Sequence, residues 1–139
     1  MSPISLGGAT LNYAICCDDI RVEDTGKFLF IGVYADMVLN AVPVQIAPRF
    51  VVQCVTTDSP QRDLQFRVKV ADRVQAMSHL KRDPAASVPA GVPFFLPLPP
   101  MPLRVAEAGV IALEVEVGTD EWAKLLEIPV SLAPGGAAV

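Results

Sequence analysis

Apolar and polar residues alternate at every second position along much of this sequence, and this pattern restricts the fold more than any other feature. Between residues 63 and 72 the apolar set is Leu64, Phe66, Val68 and Val70, and the polar set is Gln65, Arg67 and Lys69. Such alternation is typical of a strand in an antiparallel sheet with one solvated face. Since the sequence shows no helical periodicity over ten or more residues, we predict an all-β chain.

Similar runs recur along the chain and predict about seven strands in an antiparallel, immunoglobulin-like β-sandwich. Residues 109–117 and 122–132 alternate on either side of a turn and predict a hairpin. Residues 27–38 predict one long buried strand, in which Gly32 marks a bulge or a close approach of another backbone. The predicted one-sided sets are Leu11, Tyr13, Ile15 and Cys17 near the start, and Trp122, Lys124, Leu126, Ile128 and Val130 near the end.

The length of 139 residues favours one β-sandwich domain, residues 1–139, with residues 1–9 and 133–139 as flexible tails. The mean hydropathy of +0.43 is high, but a membrane-spanning helix needs about 20 apolar residues in a row. The most apolar stretch, residues 92–103, is shorter and contains five prolines. The N-terminus also shows neither a basic region nor a long apolar region, so we expect a cytoplasmic protein.

The three cysteines and the net charge indicate which covalent bonds and which binding partners are disfavoured. Cys16 and Cys17 are neighbours that point to opposite faces of a strand, so they are not expected to bond each other. We interpret Cys16, Cys17 and Cys54 as buried thiols; a bridge from Cys54 to one of the pair is the alternative. The net charge of −4 and the lack of a basic stripe disfavour binding to nucleic acid or to an anionic membrane.

Two segments of the sequence are similar to sequences in a known protein family. The first reads Ala-Ile-Cys-Cys-Asp-Asp at residues 14–19 and Gly-Lys-Phe-Leu-Phe-Ile-Gly-Val-Tyr at residues 26–34; the second reads Gly-Val-Ile-Ala-Leu-Glu-Val from residue 109 and Leu-Glu-Ile-Pro-Val from residue 126. In these segments the chain resembles a family of uncharacterised small bacterial proteins. The resemblance implies an all-β fold and supplies no catalytic residue, because the function of that family is unknown.

No catalytic or zinc-binding motif stands out. His79 is the only histidine, and no Gly-x-Ser-x-Gly sequence accompanies it, so we expect a surface residue. Zinc sites use four cysteine or histidine ligands at characteristic spacings, which the three cysteines and His79 lack. We therefore predict a protein that is not an enzyme and that has no cofactor.

Two weaker candidates for binding remain. The first is a set of carboxylates around the first turn, which could bind a hard cation or could simply be solvated: Asp18, Asp19, Glu23 and Asp24. The second is a group of apolar residues in the proline-rich segment, residues 84–102 and just beyond: Phe94, Phe95, Leu96, Leu98, Met101 and Leu103. Because proline removes a backbone donor, we interpret this segment as an edge strand or an extended crossing. Exposed apolar residues there would form a protein-binding patch.

The sequence therefore predicts a protein-interaction or assembly module that binds a protein partner or a second copy of itself. The alternative is a sandwich that binds a cation or a small ligand through its loop carboxylates.

Overall fold

The computed structural model describes residues 3–83, 85 and 88–138 of the chain, and within them every regular element is a β-strand. In chain order the strands are β1 (Ile4–Leu6), β2 (Ala9–Val22), β3 (Phe28–Val33), β4 (Met37–Val42), β5 (Val44–Ile46), β6 (Arg49–Thr56), β7 (Leu64–Val70), β8 (Arg73–Leu80), β9 (Pro93–Pro97), β10 (Leu103–Val105), β11 (Gly109–Gly118) and β12 (Glu121–Ala138). The prediction of an all-β chain is confirmed.

These strands form two larger sheets and a two-stranded pair. One sheet has the order β1-β2-β6-β9, and β3 pairs with the C-terminal half of β2. The other has the order β4-β12-β11-β7-β8, and β10 pairs with β5. The largest fully buried side chains come from both sheets and from the segment around β10; they include Phe50, Phe66, Leu11, Leu98, Leu103 and Ile128. One hydrophobic cluster therefore joins all three groups of strands.

The predicted count of about seven strands is too low, since the described residues form twelve. Residues 27–38 are not one strand, because the chain leaves the sheet at residues 34–36 and separates β3 from β4. Prolines also delimit short strands such as β5 and β9, because each proline removes a ladder donor. Most pairs are antiparallel, but β4 runs parallel to β12. The immunoglobulin-like arrangement is not confirmed.

Two β-bulges change which residues share a face. Leu11 pairs with Cys54 and Tyr13 with Gln53, so Asn12 is an extra residue in β2. Leu11 therefore belongs to the core, whereas Tyr13 is exposed. In β12 the extra residue is Leu125, and its side chain is buried. The prediction placed Lys124, Leu126 and Ile128 together on one face, which leaves Leu125 on the other. A bulge shifts the alternation by one residue, and the polar and apolar pattern alone did not reveal it.

The chain ends also differ from the prediction. Residues 4–6 form β1, which pairs with the start of β2. Strand β12 continues to Ala138, and Ala137 and Ala138 pair with β4. Within the segments predicted as flexible tails, residues 4–6 and 137–138 are thus paired in sheets.

The proline-rich segment contains β9, which among the described strands pairs only with β6 and ends its sheet. This confirms the edge-strand interpretation for residues 93–97. Part of the same segment, residues 84, 86 and 87, lies outside the described residues. The described part of the chain contains no helix long and apolar enough to cross a membrane.

Candidate functional site

Asp18, Gly32 and Tyr34 meet where the β2–β3 hairpin leaves the sheet. The pairs Cys17–Val33 and Asp19–Ile31 flank Asp18 and Gly32, which therefore lie opposite each other. Gly32 has a φ of +68°, and a β-carbon at this position would overlap the Asp18 carboxylate. The Tyr34 hydroxyl donates a hydrogen bond to Asp18 Oδ1. Glycine is thus required here for its backbone conformation and for the space that the carboxylate occupies.

A cleft of about 290 Å³ opens beside this pair, and we call it the Asp18–Tyr34 cleft. Asp18 and Tyr34 supply its polar groups. The rest of its wall consists of residues 37–39, in β4, and residues 46–48, which begin at the end of β5. Since these residues include Met37, Leu39 and Ile46, the cleft combines one carboxylate and one phenol with an apolar wall.

The hydrogen bond to Asp18 is the main reason that the pKa of Tyr34 rises from 10.0 to about 12, and burial adds to the shift. Tyr34 therefore remains protonated and acts as a donor at physiological pH. From side chains in the described residues, the Asp18 carboxylate accepts this one hydrogen bond, and Asp18 is itself exposed to solvent.

The three cysteines are buried and unbonded. Burial raises the pKa of Cys16 to about 12 and that of Cys54 to about 11. Burial also raises the pKa of Cys17, and the positive charge of Arg49, its partner across the ladder, partly opposes this increase. A thiol with a raised pKa is a poor nucleophile, so burial suppresses thiolate chemistry at these positions.

Beyond Asp18, β2 and β3 form a two-stranded arm, residues 18–33, that docks on β9. The ring centroids of Phe28 and Phe30 lie 5.5 and 5.1 Å from that of Phe95. Phe95 alternates with Phe94 and Leu96, which pack against the core, so it points away from the core. The arm therefore contacts the outer side of β9 through an aromatic cluster.

Val51 is buried on the face of β6 that points away from the main hydrophobic cluster. This residue of β6 is 0% exposed although it alternates with core residues and lies outside the main cluster. An uncovered sheet face would leave such a side chain partly in water. The face of β6 that Val51 shares with Gln53, and across the ladder with Phe95 and Pro97 of β9, is therefore covered at this position.

The other side of the arm carries an apolar stripe. Leu29, Ile31 and Val33 are 46%, 38% and 58% exposed. Within the described residues β3 pairs only with β2, so its second edge has no strand partner. The sequence prediction treated both faces of this segment as buried and missed the stripe. The alternation of Phe28 and Phe30 with these aliphatic residues was the available signal, but it did not identify the solvent-facing side.

The four predicted carboxylates do not converge. Asp18 lies in the cleft, Asp19 forms a 3.4 Å ion pair with Arg21, and Glu23 and Asp24 lie at the tip of the arm. The backbone of Glu23 closes that turn through hydrogen bonds with Lys27 and Gly26. In residues 3–83, 85 and 88–138 no three histidine, cysteine, aspartate or glutamate residues form a metal-ligand set.

The six predicted interaction residues lie mostly inside the protein. Leu98, Met101 and Leu103 are buried in the core, where they belong to the main hydrophobic cluster. Phe94 and Leu96 are partly buried against the same core, and Phe95 holds the arm. The predicted exposed patch is therefore absent at these positions. An open cleft of about 490 Å³ remains where residues 93–95 meet residues 26–28.

His79 lies away from the cleft, on the edge strand β8. Its Nε2 is 3.1 Å from Asp63 Oδ2, and both side chains are half exposed. Asp63 also accepts a hydrogen bond from the backbone amide of Arg82, which is the main cause of its lowered pKa. The pair thus joins the ends of β7 and β8.

Comparison with known proteins relates this chain to a protein family. Residues 12–131 match a family described as a family of unknown function, DUF6941. The match includes both segments on which the resemblance was based, and it includes Asp18, Gly32 and Tyr34. No curated protein matches the chain.

Proposed function

Because the chain belongs to the DUF6941 family, whose function is unknown, we propose its function from its surface alone: it is a non-enzymatic assembly module that associates with a second copy of itself through β3. Its role would be structural, and the arm would supply the contact surface.

The observation that carries this proposal is the exposed apolar stripe on an unpaired strand edge. Natural proteins usually protect such edges with charged residues, prolines or bulges, because an open edge pairs readily with another strand. From Phe28 to Val33, β3 contains no charged residue and no proline. An edge of this kind is a site of strand addition from another chain.

A second copy of β3 fits this edge well. In an antiparallel pair centred on Ile31, Leu29 of each copy faces Val33 of the other, and the two Ile31 side chains meet. All three exposed side chains then pack on the same face, as the two-residue period of a strand requires. A two-fold axis at Ile31 makes the contact closed, so the expected product is a dimer.

The docking of the arm on Phe95 supports the same proposal. A free two-stranded ribbon is marginally stable in water and would lose conformational entropy on binding. The contacts of Phe28 and Phe30 with Phe95 hold β3 in place before a partner arrives. The proline-rich segment would thus contribute to association by supporting the arm.

The stripe is small, so the association should be weak. Standard interfaces bury about 800 Å² per partner, and three half-exposed side chains with a strand edge provide less. We expect a dissociation constant on the order of 10–100 μM. We also propose a cytoplasmic location, because three buried, unbonded thiols suit a reducing compartment.

Sedimentation velocity over a range of concentrations tests the proposal. The wild type should form dimers, and Ile31→Lys should weaken dimerisation by at least about tenfold, since it places two charges together at the axis. Met77→Lys is the matched control, because Met77 is 54% exposed on another edge strand, β8. A wild type that remains monomeric up to about 1 mM, or equal dimerisation of Ile31→Lys, would refute the proposal.

A further inference from the structure

The Asp18–Tyr34 cleft has a chemistry that the proposed assembly does not use. We propose that it binds an alkylammonium group, of the kind carried by the lysine side chain. This inference does not depend on self-association, because it concerns the cleft and not the outer stripe of β3.

The charge of Asp18 is not neutralised by a neighbouring side chain in the described part of the chain. Several carboxylates of the protein have cationic partners: Glu114 lies 2.6 Å from Arg67 Nε, Glu127 lies 2.5 Å from Lys124 Nζ, and Asp19 pairs with Arg21. Asp18 has no cationic partner within 4 Å in the described part of the chain. Arg49 lies opposite Cys17 in the β2–β6 ladder, and among the described residues it forms no ion pair with Asp18. The cleft thus carries a negative charge without a partner.

Asp18 retains hydrogen-bonding capacity beyond its bond with Tyr34. A carboxylate offers about four acceptor positions, and the Tyr34 hydroxyl uses one of them. Because this bond occupies Oδ1, a planar guanidinium could not bind both oxygens as freely as it usually does. An ammonium group is a compact charge with three donors, so it needs no such bidentate geometry.

The wall of the cleft is apolar. Residues 37–39 and 46–48 present mainly apolar side chains, which suit the methylene groups of an alkyl stem. A divalent metal ion is disfavoured, since calcium requires six to eight oxygen ligands and the cleft supplies one carboxylate. A cation with a short apolar stem matches both parts of the cleft.

Amide chemical shifts during titration with n-butylammonium test this inference, because this ion reproduces the head and stem of lysine. We expect shifts at Asp18, Tyr34 and residues 37–39, and weaker binding of n-butanol, which has the stem without the charge. Asp18→Asn should weaken n-butylammonium binding by up to about fivefold, the upper end of the range for an exposed ion pair. Asp19→Asn, on the same strand, should leave it unchanged.

Tyr34→Phe provides a second variant that keeps the carboxylate, and it should retain the preference for n-butylammonium over n-butanol. N-acetyl-lysine amide then distinguishes the source of the group: tighter binding than n-butylammonium indicates a lysine in a protein segment, and equal binding indicates a free amine. Either result supports the inference. No shifts around the cleft, or equal binding of n-butylammonium and n-butanol, would overturn it, whatever the oligomeric state.

Discussion

Gly32 on β3 lies opposite Asp18 on β2, and the missing β-carbon of Gly32 leaves the space that the Asp18 carboxylate occupies. Replacing Gly32 with alanine should therefore destabilise the fold in two ways. The φ of +68° is unfavourable for alanine, and the new methyl group would overlap the carboxylate. We expect Gly32→Ala to lower the free energy of unfolding by about 2–4 kcal/mol, measured by urea denaturation.

Gly26 supplies a matched control, because its φ is +84° and a β-carbon there would meet no atom within 4 Å. Gly26→Ala should lose only about 1–2 kcal/mol, the backbone contribution. In an Asp18→Ala background the loss caused by Gly32→Ala should fall toward this value, because the carboxylate is gone and only a 3.2 Å contact with the β-carbon of residue 18 remains. If the loss is undiminished there, the overlap with Asp18 is not its cause.

Tyr34 should ionise late in the native protein. Its pKa is raised from 10.0 to about 12, chiefly by the hydrogen bond to Asp18. A folded pKa above the unfolded value means that the interaction stabilises the fold fully below pH 10.0 and that this stability is lost as pH rises through about 12. Absorbance at 295 nm after a rapid pH jump should show this late titration, and Asp18→Asn should lower its midpoint.

The two tyrosines can be separated by substitution. Tyr34→Phe should remove the late step, whereas Tyr13→Phe should retain it. A late step that survives in Tyr34→Phe would assign the signal to another group.

The docking of the arm depends on Phe95, so Phe95→Ala should release it. Each aromatic pair contributes about 0.5–1.5 kcal/mol beyond its buried area, and Phe95 contacts two rings. Trypsin cleavage after Arg21 and Lys27, both in the arm, should then become about tenfold faster because the open arm is more populated. Val92→Ala, an exposed position before β9, should leave cleavage unchanged. Equal rates in both variants would show that the arm is held by other contacts.

Sequence reasoning predicts the fold class well because side-chain alternation is a local property of a strand. Strand β7 illustrates this: Leu64, Phe66 and Val68 are buried as predicted, since no bulge interrupts that stretch. Where a bulge occurs, at Asn12 or Leu125, the same reasoning assigns later residues to the wrong face. Burial depends on what another part of the chain covers, and the pattern does not contain that information.

The candidate site, too, could be predicted from the sequence only in part. The segment that resembles a known family contains Asp18, Gly32 and Tyr34, so its importance is visible in the sequence. Their proximity is not, because residues 14 and 16 positions from Asp18 meet only when the hairpin has a particular register. The apolar stripe of β3 was likewise hidden, since an exposed and a buried valine look the same in sequence.

The Gln75 side chain forms hydrogen bonds with a neighbouring strand, which the alternation of polar and apolar residues does not predict. Gln75 is the extra residue at a bulge in β8, between Val74 and Ala76. Its amide donates to the Arg104 carbonyl at 2.7 Å and accepts from the Arg104 amide at 2.7 Å. The side chain thus reproduces the bonding of a backbone peptide and connects the edge of β8 to β10.

Removing this side chain should expose the Arg104 amide. One such hydrogen bond contributes about 0.5–1.5 kcal/mol, so Gln75→Ala should accelerate hydrogen exchange at Arg104 by roughly two- to tenfold. Gln45→Ala is the control, because Gln45 is the register partner of Arg104 in β5 and its exposed side chain should not affect this amide. Unchanged exchange in Gln75→Ala would mean that the hydrogen bond to Gln75 does not protect the Arg104 amide. Acceleration confined to Gln75→Ala would establish that a glutamine side chain closes this edge of the sheet.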